Sequence, residues 1–341
     1  MFDPAVTARL CPRRRASLRR HTATRVAGSR ERPERHRAAT VTVAFALSEG
    51  GNLGAMQAGA MRALLEAGVE PDLLVGTSVG ALNAAFCATH PGVDGARELQ
   101  AAWGALSRRE VFRFGVVGPF AAVLGMRDHL VSTTRLRHLI RRWLPVERFE
   151  DAPVPFAAVA TDALSGEAVV LRHGDVVDAL MASSAIPGLF PPVRIEGRWL
   201  VDGGLSAGWP VIEALDLGAD TVYLLTTTTA PARRPPRGAV AMAMNSVSLV
   251  TARLEHERLA AAERQAAAKG GLVVVVPSPA PEAPSPFDFA HGHLLASAAY
   301  RHVQQWLDGQ GGPDRLAGGS EPVTLARRVA DALVGDAAEP A

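Results

Sequence analysis

Two stretches of this chain follow one pattern: a short apolar run, a glycine-rich turn, then a helix built largely from small residues. VTVAFAL, from residue 41, runs into SEGGNLG and GAMQAGAMRALLEAG; PDLLVG, from residue 71, runs through Thr77 and Ser78 into VGALNAAFCATH, which stops before Pro91. Short β-rich apolar runs without alternation are strands buried on both faces, so helices have to cover both sides of their sheet. In the first helix Met56, Ala60, Ala63, Leu64 and Ala67 keep helical spacing, and Gly68 is placed to end it. The small residues Gly54, Ala55, Ala58 and Gly59 are expected to let that helix lie close on the sheet. A strand–helix–strand–helix series makes a parallel sheet whose ligands bind at the carboxyl ends of the strands. Both glycine turns fall at such ends.

The pattern continues downstream. PFAAVATDALSGEAVVL reads as a hairpin around Ser165 and Gly166, DVVDALMASSAIP as a helix ended by Pro187, and RWLVDGG as a short strand with an acid at its end. WPVIEALDLGA returns to helix, DTVYLLTTTT is a strand, 240–269 a long helix, LVVVVP a last core strand and 292–308 a final amphipathic helix. Residues 95–150 read mainly helical, but 111–126 is apolar and broken by Gly115, Gly118 and Pro119. Two readings stay open for that segment: a buried connector, or a flap or rim that touches lipid.

Charge and composition bound the rest. A hydrophobic share of 48% and a charged share of 21% suit a well-packed globular core. The net charge of +2 is unevenly distributed: residues 1–40 carry eleven arginines against Asp3, Glu31 and Glu34, so the remainder is acidic. That head has no helical apolar face, so a disordered extension is expected over 1–39, an anionic-membrane tether being the weaker reading and specific nucleic-acid binding not expected. The expected folded core spans 40–310 and a weakly ordered tail 311–341.

No basic start is followed by the roughly 7 to 15 apolar residues of a secretory signal, and no run of about 18 apolar residues could cross a bilayer. The two cysteines, Cys11 and Cys87, make neither a disulfide framework nor a metal site. A cytoplasmic protein, peripheral to membrane at most, is the expectation. Lys269 is the single lysine, and GxxxxGK[ST] is absent, which removes P-loop nucleotide chemistry and all but removes Schiff-base chemistry.

Candidate chemistry lies in the turns. GTSVG fits G-x-S-x-G, in which a sharp strand-to-helix turn raises a serine above the sheet; the apolar run before Gly76 and the helix from Val79 are the context this motif needs. Helix dipole potential favours a nucleophile at Ser78. A serine also needs a base and donors for the oxyanion it creates. The upstream turn offers donors, because Gly50 and Gly51 leave their amides unshielded. It is not a dinucleotide fingerprint, since Glu49 stands where the first glycine belongs. Two models remain for the base: a histidine, best His291 or His293 of DFAHGH, or a carboxylate, best Asp202 of VDGG, with Asp162 more easily read as a turn residue.

Five blocks taken together resemble the patatin-like phospholipases: LSEGGNLGAMQAGAMRALLEAG, GTSVGALNA, ASSAIPGLFPPV, VDGG followed by Pro210, and SPFDFAHGH, running from about residue 41 to 305. The resemblance implies an α/β fold, a three-layer α/β/α sandwich with a mostly parallel sheet. It further implies a Ser-Asp dyad that hydrolyses lipid acyl esters through an acyl-enzyme, without catalytic histidine, metal or cofactor. Position by position, Ser78 matches the nucleophile, Asp202 the base, and Gly50, Gly51 and Gly54 the oxyanion loop. The SSAIPGLFPP block matches a segment that supports the dyad, with Pro187 architectural. Two departures stand out: the family's G-G-G-x-R/K-G has Glu49 for its first glycine and Leu53 for its basic residue. The alternative they raise is a catalytically weak or inactive lipid-binding protein on the same fold.

Overall fold

The computed structural model describes residues 41–111, 131–228, 238–281 and 288–310, all in one compact unit that begins at Val41. The Arg-rich extension over 1–39, all but the first residue of the apolar segment 111–126, the loop 231–237 and the tail over 311–341 lie outside the described residues.

Five strands are parallel: β1 (Val43–Leu47), β2 (Leu73–Thr77), β3 (Phe156–Asp162), β7 (Thr221–Leu225) and β8 (Leu272–Val276), in the spatial order β3-β2-β1-β7-β8. Three antiparallel strands extend the β3 side: β4 (Ala168–Leu171), β5 (Val193–Ile195) and β6 (Arg198–Asp202), with β4 and β6 both on β3 and β5 on β6. The sheet is therefore mixed, with its parallel part in the majority. The hairpin β5–β6 was not foreseen from sequence; Glu196 (φ 49°) and Gly197 (φ 84°) form its two-residue turn, both with the positive φ that such tight hairpins require.

Strand alternation divides the interior into two layers. Phe45, Leu47, Leu74, Phe156 and Tyr223 point to one face, under α1 (Gly54–Glu66), α2 (Val79–Thr89), α3 (Gly92–Ala105), α5 (Thr134–Trp143), α6 (Val176–Ser183) and α9 (Gly292–Gln310). Ala44, Ala46, Val75, Ala157 and Val222 point to the other, under α7 (Val211–Asp216) and α8 (Ala239–Ala268). A short α4 (Arg108–Val111) follows α3. The period-2 side-chain alternation of a strand buries both faces at once, which is the physical content of a three-layer α/β/α arrangement.

Two local expectations need correction. The α6 helix stops at Ser183, before Pro187, and residues 184–190 continue as turns. The small face of α1 serves its helix neighbour as well as the sheet: a β-carbon on Gly59 would run into the Ala296 carbonyl and lie 2.9 Å from the Tyr300 amide nitrogen, so Gly59 sets the distance to α9. Among the described residues no helix is long and apolar enough to cross a membrane.

Candidate active site

Ser78 sits between the end of β2 and the first residue of α2, with φ 55° and ψ −121°. A non-glycine residue there carries strain of order 1–3 kcal/mol, tolerated only where the surroundings hold it. They do so on both sides. A β-carbon on Gly76 would strike the Gly80 backbone, and one on Gly80 would strike the Leu47 and Ser48 carbonyls, so the turn closes only with glycine at both positions. From below, the Ser78 amide donates to Ser183 Oγ at 2.9 Å, and the Ser183 hydroxyl donates to the Val159 carbonyl at 2.6 Å. The Ser78 hydroxyl is left free to turn toward Asp202.

Asp202 comes from the opposite direction. β6 runs antiparallel to β3, and Asp202, its last residue, pairs with Ala160, one step beyond the Val159 that pairs with Thr77. The strand thus ends at the level of Ser78. Ser78 Oγ donates to Asp202 Oδ2 at 2.7 Å, and the Gly204 amide donates to Oδ1 at 2.8 Å. The Asp202 backbone is fixed too: its amide donates to the Ala185 carbonyl at 3.0 Å, and Thr161 Oγ1 donates to its carbonyl at 2.8 Å. Gly203 has to be glycine because a β-carbon would meet the Val159 carbonyl.

Burial pushes the Asp202 carboxyl up to about 6, against the opposing pull of the Ser78 and Gly204 hydrogen bonds. An aspartate in that range is ionised at neutral pH yet basic enough to take a proton.

The turn after β1 is arranged differently. Gly50 (φ 148°) and Gly51 (φ 58°) adopt backbone angles that suit glycine, and neither amide has a hydrogen-bond partner among the described residues. The carbonyls of the turn are held instead: Gln57 Nε2 donates to the Ser48 carbonyl at 2.8 Å, and Asn83 Nδ2 to the Gly54 carbonyl at 2.9 Å. Asn83 also donates to Gln57 Oε1 at 2.9 Å and accepts from Trp103 Nε1 at 2.9 Å. All three residues are buried, and their shared network ties α1, α2 and α3 to the loop. Gly54 lies at the start of α1 against Val79 and Trp103, where it provides close packing.

Glu49 and Leu53 occupy the two unusual positions. Glu49 is only half-buried by exposure, but its carboxyl lies against Gly204 and Gly208 and is driven well above the ordinary carboxylate range, first by lost hydration, then by Asp202 and Glu255. Leu53 is half-buried. Its neighbour Asn52 donates to the Asp288 carbonyl at 2.5 Å, tying the loop to the segment before α9.

The histidine candidates are elsewhere. His291 Nδ1 pairs with Asp288 Oδ2 at 3.1 Å on the surface, and His293 is exposed. No histidine among the described residues bonds to Ser78 or Asp202. Asp162 caps the β3–β4 turn, its Oδ1 accepting from the Leu164 amide at 2.9 Å. Ser183, Thr161, Gln57 and Asn83 were not singled out from sequence; a polar residue inside an otherwise apolar helix, as in AMQAG and ALNAA, is the signal that could have found the last two. Among the described residues no three His, Cys, Asp or Glu side chains could hold a metal ion.

Of the cavities, one of about 280 Å³ lies at the amino-terminal edge of the sheet by Pro71 and Val154, far from Ser78 along the strands. Another of about 420 Å³, lined by Leu205, Ser206, Leu254 and Arg258, opens three residues past Asp202.

A family model described as patatin-like phospholipase matches residues 45–215. An uncharacterized NTE family protein of Mycobacterium tuberculosis is 32% identical over 197 residues, covering 56% of this chain and 51% of that protein. Patatin-like phospholipase domain-containing protein 6 of Mus musculus is 28% identical over 186 residues, 54% of this chain and 13% of that one. Among solved structures, VipD from Legionella pneumophila aligns with a TM-score of 0.41 at 15% identity, covering 79% of this chain and 67% of its own. The chain spans about half the length of the mycobacterial relative.

Proposed function

The chain belongs to the patatin-like phospholipase family, and on that premise we propose that it is a serine acyl-ester hydrolase, of phospholipase A or lysophospholipase type, working through a Ser78–Asp202 dyad. The observation that carries this reading is the 2.7 Å hydrogen bond between Ser78 Oγ and a buried, ionisable Asp202.

In this mechanism Ser78 Oγ attacks the acyl carbonyl as its proton passes to Asp202 Oδ2. The negative charge moves from the aspartate to the former carbonyl oxygen, where the Gly50 and Gly51 amides, which have no partner among the described residues, are available to receive it. Asp202 returns the proton to the departing alcohol, leaving an acyl-Ser78. Water, deprotonated by the same aspartate, then attacks the acyl carbonyl, and Asp202 passes that proton to the departing Ser78 Oγ as the fatty acid is released. A lipid acyl-ester substrate and peripheral membrane contact are part of the same reading. Leu53, in place of a basic residue, supports one competing reading: a protein that binds lipid without turning it over.

The test is covalent labelling by a fluorophosphonate probe, paired with hydrolysis of p-nitrophenyl acyl esters. Ser78→Ala is expected to lose both, by on the order of 10⁴-fold or more. Retention of labelling in Ser78→Ala would remove Ser78 as nucleophile. Fatty-acid binding by a wild type that never labels would support the competing reading. His291→Ala is expected to keep activity, and its loss would restore the histidine model.

A further inference from the structure

The most unusual side chain near the dyad is Glu49. Glu49 stands where the G-G-G-x-R/K-G pattern has its first glycine, and two glycines, Gly204 and Gly208, lie opposite its side chain. A β-carbon on Gly204 would lie 2.7 Å from Glu49 Cδ and 3.1 Å from Asp202 Oδ1; one on Gly208 would lie 2.8 Å from both Glu49 carboxylate oxygens. The two carboxylates therefore border one small glycine-walled space. The backbone of Glu49 is pinned there, its amide donating to the Gly208 carbonyl at 3.1 Å and its carbonyl accepting from Thr227 Oγ1 at 2.5 Å.

The orientation matters. Asp202 turns Oδ2 toward Ser78 and Oδ1 toward Gly204, the residue against which Glu49 lies. Glu49 is thus behind Asp202, on the side away from the attacking hydroxyl. The other charged groups around it are acidic at closest range: Asp202 from β6 and Glu255 from α8. Glu255 is committed to the Gly208 and Trp209 amides at 2.8 and 2.9 Å. Behind it Arg258, also on α8, pairs with Glu213 of α7 at 2.6 Å, and the His256 ring lies over Trp209.

We propose that Glu49 is a positioning residue of the dyad, which acts on Ser78 only through Asp202 and gives the hydrolase a second, alkaline activation step. The inference rests on the Ser78–Asp202 reading. Its physical basis is reciprocity: if an ionised Asp202 opposes ionisation of Glu49, an ionised Glu49 opposes the charge on Asp202 by the same amount. Burial raises Asp202 to about 6, and lost hydration followed by the Asp202 and Glu255 carboxylates holds Glu49 well above its ordinary range. Once Glu49 ionises, Asp202 becomes the stronger base. Proton transfer from Ser78 then moves negative charge away from Glu49, toward the oxyanion on the far side of the serine, so the ionised glutamate favours the transition state.

The experiment is the rate of labelling by an uncharged fluorophosphonate, measured from pH 5 to pH 10 on the full chain. Wild type is expected to show two ascending steps, the upper one about 3- to 10-fold, as for like-charge coupling of roughly half to one pK unit. Glu49→Gln, of the same shape but without a charge, is expected to give a single step, and Glu49→Gly, restoring the family residue, the same single step. Glu49→Asp is expected to recover part of the upper rise, which a purely structural role would not predict. A Glu49→Gln profile superimposable on wild type would overturn the inference and leave the dyad standing. A wild type that labels at no pH would overturn the dyad reading itself.

Discussion

The turns after β1 and after β2 have the same build, strand to glycine turn to helix, yet they present opposite things to the same space. After β2 the backbone amide of Ser78 is bonded to Ser183 and the side chain is exposed to chemistry. After β1 the side chains at Gly50 and Gly51 are absent and the amides are left without partners among the described residues. In the proposed mechanism one βα turn offers the nucleophile and the other offers donors. The difference lies in which groups of each turn the neighbouring helices satisfy: Ser183 takes an amide, whereas Gln57 and Asn83 take carbonyls.

The largest effect expected from breaking this contrast is on the side-chain turn. Asp202→Asn keeps the shape of the carboxyl and removes the base, and a loss of on the order of 10³- to 10⁴-fold in kcat is expected, read by ester hydrolysis with labelling as a control. The same variant should be more stable. A folded-state value of about 6, above the ordinary 3.8, means that Asp202 favours folding fully only below pH 4, and that this contribution is lost as pH rises through 6. At pH 7 to 8 relief of that burden is worth about 1–3 kcal/mol, visible as a higher urea midpoint. Wild-type activity should move the other way, rising through about pH 6.

An intermediate effect is expected on the donor turn. Gly50→Ala places a methyl 2.6 Å from Thr227 Cβ at a φ of 148°, so the turn has to move. Displacing one oxyanion donor costs on the order of 10²- to 10³-fold in kcat with KM little changed. An equal fall in kcat for Gly68→Ala, a helix-end glycine with nothing within 4 Å of its added methyl, would show that the loss is generic rather than local.

The smallest effect should come from the network beneath the donor turn. Asn83→Ala leaves the Gly54 carbonyl, Gln57 Oε1 and Trp103 Nε1 without their partner, which costs about 1–3 kcal/mol of stability. About ten-fold in kcat is expected from loosening of the loop, a fall of roughly 1.4 kcal/mol in transition-state stabilisation. Unchanged kcat with the stability loss intact would separate packing from donor positioning.

Much of the fold was legible because buried strands and small-residue helices leave strong local patterns. β1, β2, β7 and β8 read as apolar runs, and α8 was expected within a residue of its bounds. β5 was missed, since an exposed Arg194 between half-buried Val193 and Ile195 carries little periodic signal and only the Glu196–Gly197 turn marks the strand. The carboxyl-terminal end of α6 and the helix-facing use of Gly59 were misread for a related reason: both depend on what packs against them. At the site, Ser78 and Asp202 stood out as strand-end residues beside glycines. Ser183, Thr161 and Asn83 did not, because a lone hydroxyl or amide in a helix or strand has no pattern until its partner is known.

The sequence alone determined which elements form and which turns need glycine, because strand burial, helix spacing and steric exclusion of a β-carbon act within a few residues. Only the tertiary structure decided that residues 78 and 202 meet. β6 had to pair antiparallel with β3 in the register Ala160 to Asp202, directly beyond the point where β2 pairs with the same edge of β3 in the register Val159 to Thr77, while β4 takes the opposite edge. Backbone hydrogen bonds between distant strands set that alignment, and a slip of one residue would turn Asp202 to the opposite face. The charge environment behind Asp202 has the same origin, because Glu49, Gly204, Gly208 and Glu255 come together only when β1, β6 and α8 are packed.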